Sequence, residues 1–165
     1  MEMNVMAKAK QACKPVPRSV YVLLLLYAND GATIEGKLRL EKMVFLLDQT
    51  IRSKRLHIAD KLYDFRAYSF GPFSEEVYDD IELLKDLNLV NISGTEENPT
   101  YQITDKGKKI VEKMIQQEVI PPSLLNEIEN IKRKWNRADL YSLLKYIYRN
   151  YREFTQKSLI RERFE

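Results

Sequence analysis

The period of the apolar positions changes along the chain, and each change predicts an element. "VYVLLLLYA" (Val20 to Ala28) is apolar all round, which predicts a helix buried on every side, capped by Ser19 and stopped by the "NDGA" at residues 29–32. From about Lys37 to Arg52, Leu38, Leu40, Met43, Val44, Leu46, Leu47 and Ile51 give a second helix a broad apolar face. Arg39, Glu41, Lys42 and Asp48 fill much of the other. A strand is predicted near Tyr63 to Ser69, a rigid turn at Gly71-Pro72, and a third helix after the cap Ser74. That helix buries Val77, Tyr78, Ile81, Leu84 and Leu87, and Phe73, just ahead of its cap, is placed to staple onto Tyr78. "NLVNIS" and "TYQIT" around "GTEENP" predict a β-hairpin, and Thr104 caps a fourth helix to about Gln117. Beyond Pro121-Pro122 two more helices are predicted, Leu124 to Trp135 and Arg137 to about Tyr151. Asn136 caps the second, which buries Leu140, Leu143, Leu144, Ile147 and Tyr151; Thr155 caps a last short helix.

These elements describe a mainly α chain with a small β-hairpin, an α+β fold. Residues 1–18 lack periodicity and are expected to be a disordered basic tail, because Pro15, Pro17 and scattered lysines offer no face to bury. Residues 19–118 form the domain. Residues 119–165 form a helical extension whose wide apolar stripes predict a homodimerisation or partner-binding element.

Charge sharpens this picture. The net charge of +3 over 165 residues divides unevenly. Lys8, Lys10, Lys14 and Arg18 stand against Glu2 in the tail; residues 20–103 carry 9 Lys/Arg against 14 Asp/Glu, and residues 104–165 carry 14 against 9. An acidic half is thus joined to a basic half, and the basic pI is weak evidence for nucleic-acid binding. One Cys excludes an internal disulfide, and one Cys with one distant His excludes an ordinary zinc site. The apolar run at residues 20–28 is too short to span a bilayer, which takes roughly 20 residues, and no good signal-cleavage site follows it. A cytoplasmic protein with no membrane contact is expected.

Two stretches carry a resemblance. "LLKDLNLVNISGTEENPTYQITDKGKKIVEK" resembles the wing region of PadR-like and MarR-like winged helix-turn-helix regulators, with Leu84 and Leu87 before the wing and Gly107 closing the family's T-x-K-G. "KLRLEKMVFLLDQ" followed by "YSFGPFSEEVYDDI" resembles small prokaryotic proteins related to the Panacea antitoxin domain, carried by Lys37, Leu38, Leu40, Lys42, Gly71, Pro72, Phe73 and Ser74. The resemblance implies a winged-helix-like domain and a non-catalytic regulator or antitoxin. About twenty residues separate the second and third helices, however, where a DNA-docking helix-turn-helix has a turn of about three to four.

The candidate sites follow from chemistry. No phosphate loop, dinucleotide motif or nucleophile elbow is present, and His57 is the only imidazole, so no catalytic residue, no cofactor and no metal are expected. Asp79-Asp80 reads as two solvated carboxylates, since adjacent helical residues diverge by roughly 100°. Glu75, Asp79, Glu82 and Asp86 fall at i, i+4, i+7 and i+11, an acidic stripe on the third helix. Such a stripe opposes docking on phosphates, which dominate affinity for DNA, and the hairpin tip adds Glu96 and Glu97. Lys106, Lys108, Lys109, Lys132, Arg133, Lys134 and Arg137 are the nucleic-acid candidates, the last four clustering around Trp135. Two functions therefore stay open. One is a transcription regulator or antitoxin touching DNA through its tail and C-terminal helices. The other is a protein-binding adaptor or antitoxin that grips a basic partner through residues 74–87 and does not bind DNA.

Overall fold

The computed structural model describes residues 15–164; of the tail expected at residues 1–18, residues 1–14 lie outside the described residues. The fold is mixed α+β. Helix α1 (Ser19–Gly31) leads through the short strand β1 (Ile34–Glu35) to α2 (Lys37–Lys54). A small hairpin, β2 (Arg66–Tyr68) and β3 (Gly71–Phe73), precedes α3 (Glu75–Asp86). The second hairpin, β4 (Val90–Gly94) and β5 (Pro99–Ile103), is followed by α4 (Asp105–Gln116), α5 (Pro122–Trp135) and α6 (Leu140–Asn150). Two 3-10 turns close the described chain. Strand β5 lies between β1 and β4, antiparallel to both, with Tyr101 opposite Ile34 and Ile92.

Helix α1 is the hub, as its uniform hydrophobicity requires. Val22 to Leu26 are all buried, and α3, α4, α5 and β5 pack around them. Each fully buried Leu stabilises the fold by about 1.5–3 kcal/mol relative to an exposed one. Ser19 is not its cap: Arg18 holds that position with helical backbone angles, and Ser19 is buried inside the helix. At the other end the backbone leaves the helical region at Ala28, Asn29 and Asp30. The carbonyls this break would orphan are met by α5, where buried Lys132 donates to Leu26 O (2.9 Å) and Ala28 O (2.7 Å) and Glu129 accepts from Asn29 N at 3.0 Å.

The segment after Pro121 is therefore part of the same core. Leu124, Ile128, Leu143, Leu144 and Ile147 join one buried cluster with α1 and α2. The apolar stripes behind the expectation of a dimer are largely covered within the chain; Leu140 and Tyr151 are only partly buried, while Tyr148 joins the buried set. Asn136 does not cap α6. It ends α5 and donates to Thr33 O at 2.9 Å, while Asp139 caps α6 by accepting from Ser142 N. Thr155 ends a 3-10 turn instead of starting a helix, its hydroxyl donating to Arg152 O.

Helix α2 departs most from its sequence pattern. Leu40 through Asp48 is buried without interruption, so Glu41, Lys42 and Asp48 are interior residues and not a solvated face. Each has found partners. Lys42 donates to Glu41 Oε1 (2.6 Å) and to Pro72 O (2.8 Å). Asp48 accepts from Arg52 Nε (2.8 Å) and Tyr63 N (3.2 Å), although burial still pushes its pKa up. Lys42 thus links the two motif stretches directly, one on α2 and the other around Gly71 to Ser74. Gly71-Pro72 is strand, not turn; Gly71 has φ +91°, and a Cβ there would lie 3.1 Å from the Tyr148 ring of α6. Gly107 is needed for a comparable reason, since a Cβ would meet Leu89 O at 2.4 Å. Thr104 caps α4 as expected, accepting from Gly107 N and donating to Asn88 O. Among the described residues no helix is long and apolar enough to cross a membrane.

Candidate partner-binding surface

Helix α3 carries acids on two sides, and the structure treats them differently. On the inner side, Arg18 makes a bidentate contact with Asp80 (Nε–Oδ2 3.0 Å, Nη2–Oδ1 3.1 Å) and reaches Glu76 Oε2 at 2.7 Å. The Tyr63 hydroxyl donates to Asp80 Oδ2 at 2.6 Å, and the Arg18 guanidinium lies over the Tyr63 ring at 4.8 Å. Asp80 is buried, so the expected pair of solvated carboxylates reduces to Asp79 alone. The hydrogen bonds from Arg18 to Asp80 raise the arginine's pKa above its already high value. Burial, then the Asp80 charge, drives the Tyr63 phenol well above 10, so it remains a donor. Glu76 also accepts from Asp64 N at 2.8 Å, fastening the segment before the small hairpin. Arg18, assigned to the tail by sequence, is thus a structural residue, and Val16 bonds Ile58 O beside it.

On the outer side Glu75, Asp79, Glu82 and Asp86 are all exposed. Among the described residues Glu75, Asp79 and Asp86 have no ion-pair partner, and Glu82 has only Lys85, at a loose 3.9 Å. Two apolar side chains flank this face along one edge. Leu83 is 46% exposed and Leu87 49% exposed, so Leu87 does not belong to the buried set of Val77, Ile81 and Leu84. A helix end that stops packing before its last turn explains this: the chain turns at Asn88 (φ 61°) and enters β4. Ser74 occupies the N-cap position, but its buried hydroxyl has no hydrogen-bond partner among the described residues. The staple is present, Phe73 and Tyr78 having ring centroids 6.1 Å apart.

The basic candidates divide in the same way. Lys106, Lys109, Arg133, Lys134 and Arg137 are exposed and Lys108 is half-buried. Lys132 is fully buried at the end of α1, so it offers nothing to a nucleic acid. Lys134 stacks over Trp135 (4.9 Å) and Tyr146 (5.2 Å), covering the aromatic edge that sequence read as a stacking platform. Glu96 and Glu97 at the hairpin tip and His57 are exposed.

Sequence reasoning missed Arg18, Tyr63 and Asp80 as a unit, and Glu41, Lys42 and Lys132 as interior charges. Charged residues inside otherwise apolar stretches of α2 were the available signal. Comparisons with protein-family models and with curated proteins find no match to this chain.

Proposed function

We propose that this protein is a non-enzymatic regulator of the transcription-regulator or antitoxin type, built on a winged-helix-like domain, which works by gripping a basic protein partner with the outer face of α3. The element order and the β1-β5-β4 sheet support the winged-helix reading, with β4–β5 as the wing. The observation that carries the function is the composition of that face: a stripe of four exposed carboxylates flanked along one edge by exposed Leu83 and Leu87. Acid alone suits solvent, and exposed leucine alone suits nothing on a lone helix. Together they suit a partner with basic and apolar residues, because charge complementarity steers the encounter and apolar contact holds it. The same face, with the acidic wing tip, repels a phosphate backbone.

The test compares the wild type with E75Q/D79N/E82Q/D86N and with L83A/L87A. The protein captured by the wild type from its own cells should be lost with both variants, while binding to a random DNA duplex at low salt is unchanged or stronger for the charge variant. A partner complex that survives both substitutions would refute the reading. Loss of duplex binding only on replacing Lys106, Lys109, Arg133 and Arg137 would favour the DNA regulator.

A further inference from the structure

A cleft of about 260 Å³ lies between the end of α6 and the two 3-10 turns, Arg152–Phe154 and Arg161–Phe164. Arg149, Arg152 and Arg161 line it, and among the described residues no acid does. All three arginines are exposed, so their guanidinium groups are within reach of a solute. Arg149 and Arg152 have no ion-pair partner among the described residues, and the nearby acids Glu153 and Glu162 are not part of the lining. A larger cleft at the start of α2 is different: there Glu35 and Glu97 stand against Lys37, Arg39 and Arg137. Only the cleft beside α6 thus pairs an accessible cavity with charge of one sign.

The fold holds the walls of this cleft in place. Arg149 belongs to the last turn of α6, where the helix dipole favours a cation. That accounts for Arg149 and not for the convergence. Arg152 follows three residues later, and buried Thr155 closes its turn by donating to Arg152 O at 2.9 Å. The chain is then tied to the β2–β3 hairpin, Leu159 N donating to Ser69 O at 2.8 Å, while the Ser158 and Tyr148 hydroxyls share a hydrogen bond. Phe164 is buried against the Tyr148 ring of α6, with centroids 4.6 Å apart. This anchoring of the second 3-10 turn brings Arg161 onto the same cleft as Arg149 and Arg152.

The chemistry of the lining selects its ligand. A guanidinium presents a planar fork of donors that fits phosphate oxygens in pairs, and it stays charged at any working pH. A phosphate monoester offers three strong acceptor oxygens and nearly two negative charges at neutral pH, enough for several forks at once. A carboxylate offers one pair of oxygens and one charge. A nucleic-acid phosphate is a diester, with two free oxygens and one charge. The volume is just below the range of about 300–1,000 Å³ common for whole ligands, which suits a phosphate head with the rest of the molecule outside.

We infer that this cleft is a binding site for the phosphate group of a small phosphorylated molecule. It shares no residue with the α3 surface and is a second, separate site on the protein.

The test titrates the full-length protein with methyl phosphate, and in parallel with inorganic phosphate, dimethyl phosphate and a short oligothymidylate lacking a terminal phosphate. The backbone amide of Thr155 and the Nε–H groups of Arg149 and Arg152 are followed by NMR. Methyl phosphate should give saturable shifts at all three and none at the Leu83 amide on α3. R149Q/R152Q should weaken binding by about tenfold or more, since two charge-assisted contacts are lost. Both side chains are exposed, so an unchanged Tm shows that the variant is folded. K106Q/K109Q, which removes two exposed charges from α4, should leave binding unchanged. Saturation by the diester or the oligonucleotide at equal or lower concentration would overturn the inference, as would binding of inorganic phosphate without methyl phosphate. Methyl phosphate binding that survives R149Q/R152Q, or no saturable shift at all, would overturn it too.

Discussion

Asp79 and Asp80 are neighbours in sequence and identical in chemistry, yet one is exposed and unpaired while the other is buried under Arg18 and Tyr63. Glu75 and Glu76 split the same way. The cause is the turn of roughly 100° between adjacent helical residues, which aims one acid at the packed N-terminus of α1 and the other at solvent. Inner acids hold the fold together, and their charge is matched atom by atom. Of the outer acids only Glu82 has an ion-pair partner in the described chain, Lys85 at 3.9 Å, so most of their charge is available to another molecule. Lys132 and Arg133 divide on α5 in burial only: Lys132 is enclosed and bonded to two carbonyls, while Arg133 is exposed, with Glu129 at 3.8 Å.

The most severe way to break this division is to unpair a charge that solvent never reaches. Glu41→Gln leaves Lys42 buried with no counter-charge, and denaturant unfolding should show a loss of about 3–5 kcal/mol, the usual cost of breaking a buried pair from one side. The joint change to apolar residues at 41 and 42 should cost much less than that single substitution.

Lys132 sharpens the basic half of the comparison through pH. Burial lowers its pKa to about 7, from 10.5 for the unfolded chain. Below pH 7 both states hold the proton, and the folded state bears the full cost of burying it. Between about 7 and 10.5 only the unfolded state remains protonated, so stability rises with pH across that window by an amount on the order of a few kcal/mol. Both carbonyl bonds survive, because a neutral amine still has two hydrogens to give. Lys132→Met should make this slope shallower in unfolding curves collected from pH 6.5 to 10, leaving the part due to Lys42, whose pKa burial also lowers, whereas Arg133→Met should leave the full slope in place.

Asp80→Asn keeps the shape but weakens the contacts with Arg18 and Tyr63. A loss of about 1.5–3 kcal/mol is expected, as for a hydrogen bond to a charged group. Asp79→Asn should stay within about ±0.5 kcal/mol. Comparable effects from the two would erase the distinction between the faces. Smallest of all, neutralising Glu75, Asp79, Glu82 and Asp86 together should raise stability by a few tenths of a kcal/mol at low salt, since it relieves i,i+4 repulsion. A clear loss would mean that the stripe already has a partner in the chain.

The apolar period determined much of this protein by itself. It specified the buried α1, the span of α2, the staple and buried core of α3, the β4–β5 hairpin, and the Thr104–Gly107 start of α4, because local sterics and capping fix those features within a few residues of chain. It also placed the acidic stripe, since exposure on the outward side of an amphipathic helix follows from spacing. Only the tertiary structure decided the fates of Glu41, Lys42, Asp48, Asp80 and Lys132. Each needed a partner 1 to 106 residues away, and α2 could be enclosed all round only once α5 and α6 folded back onto it. A charge reads as solvated on any helical wheel until another element covers that side, and no local pattern records which element will arrive.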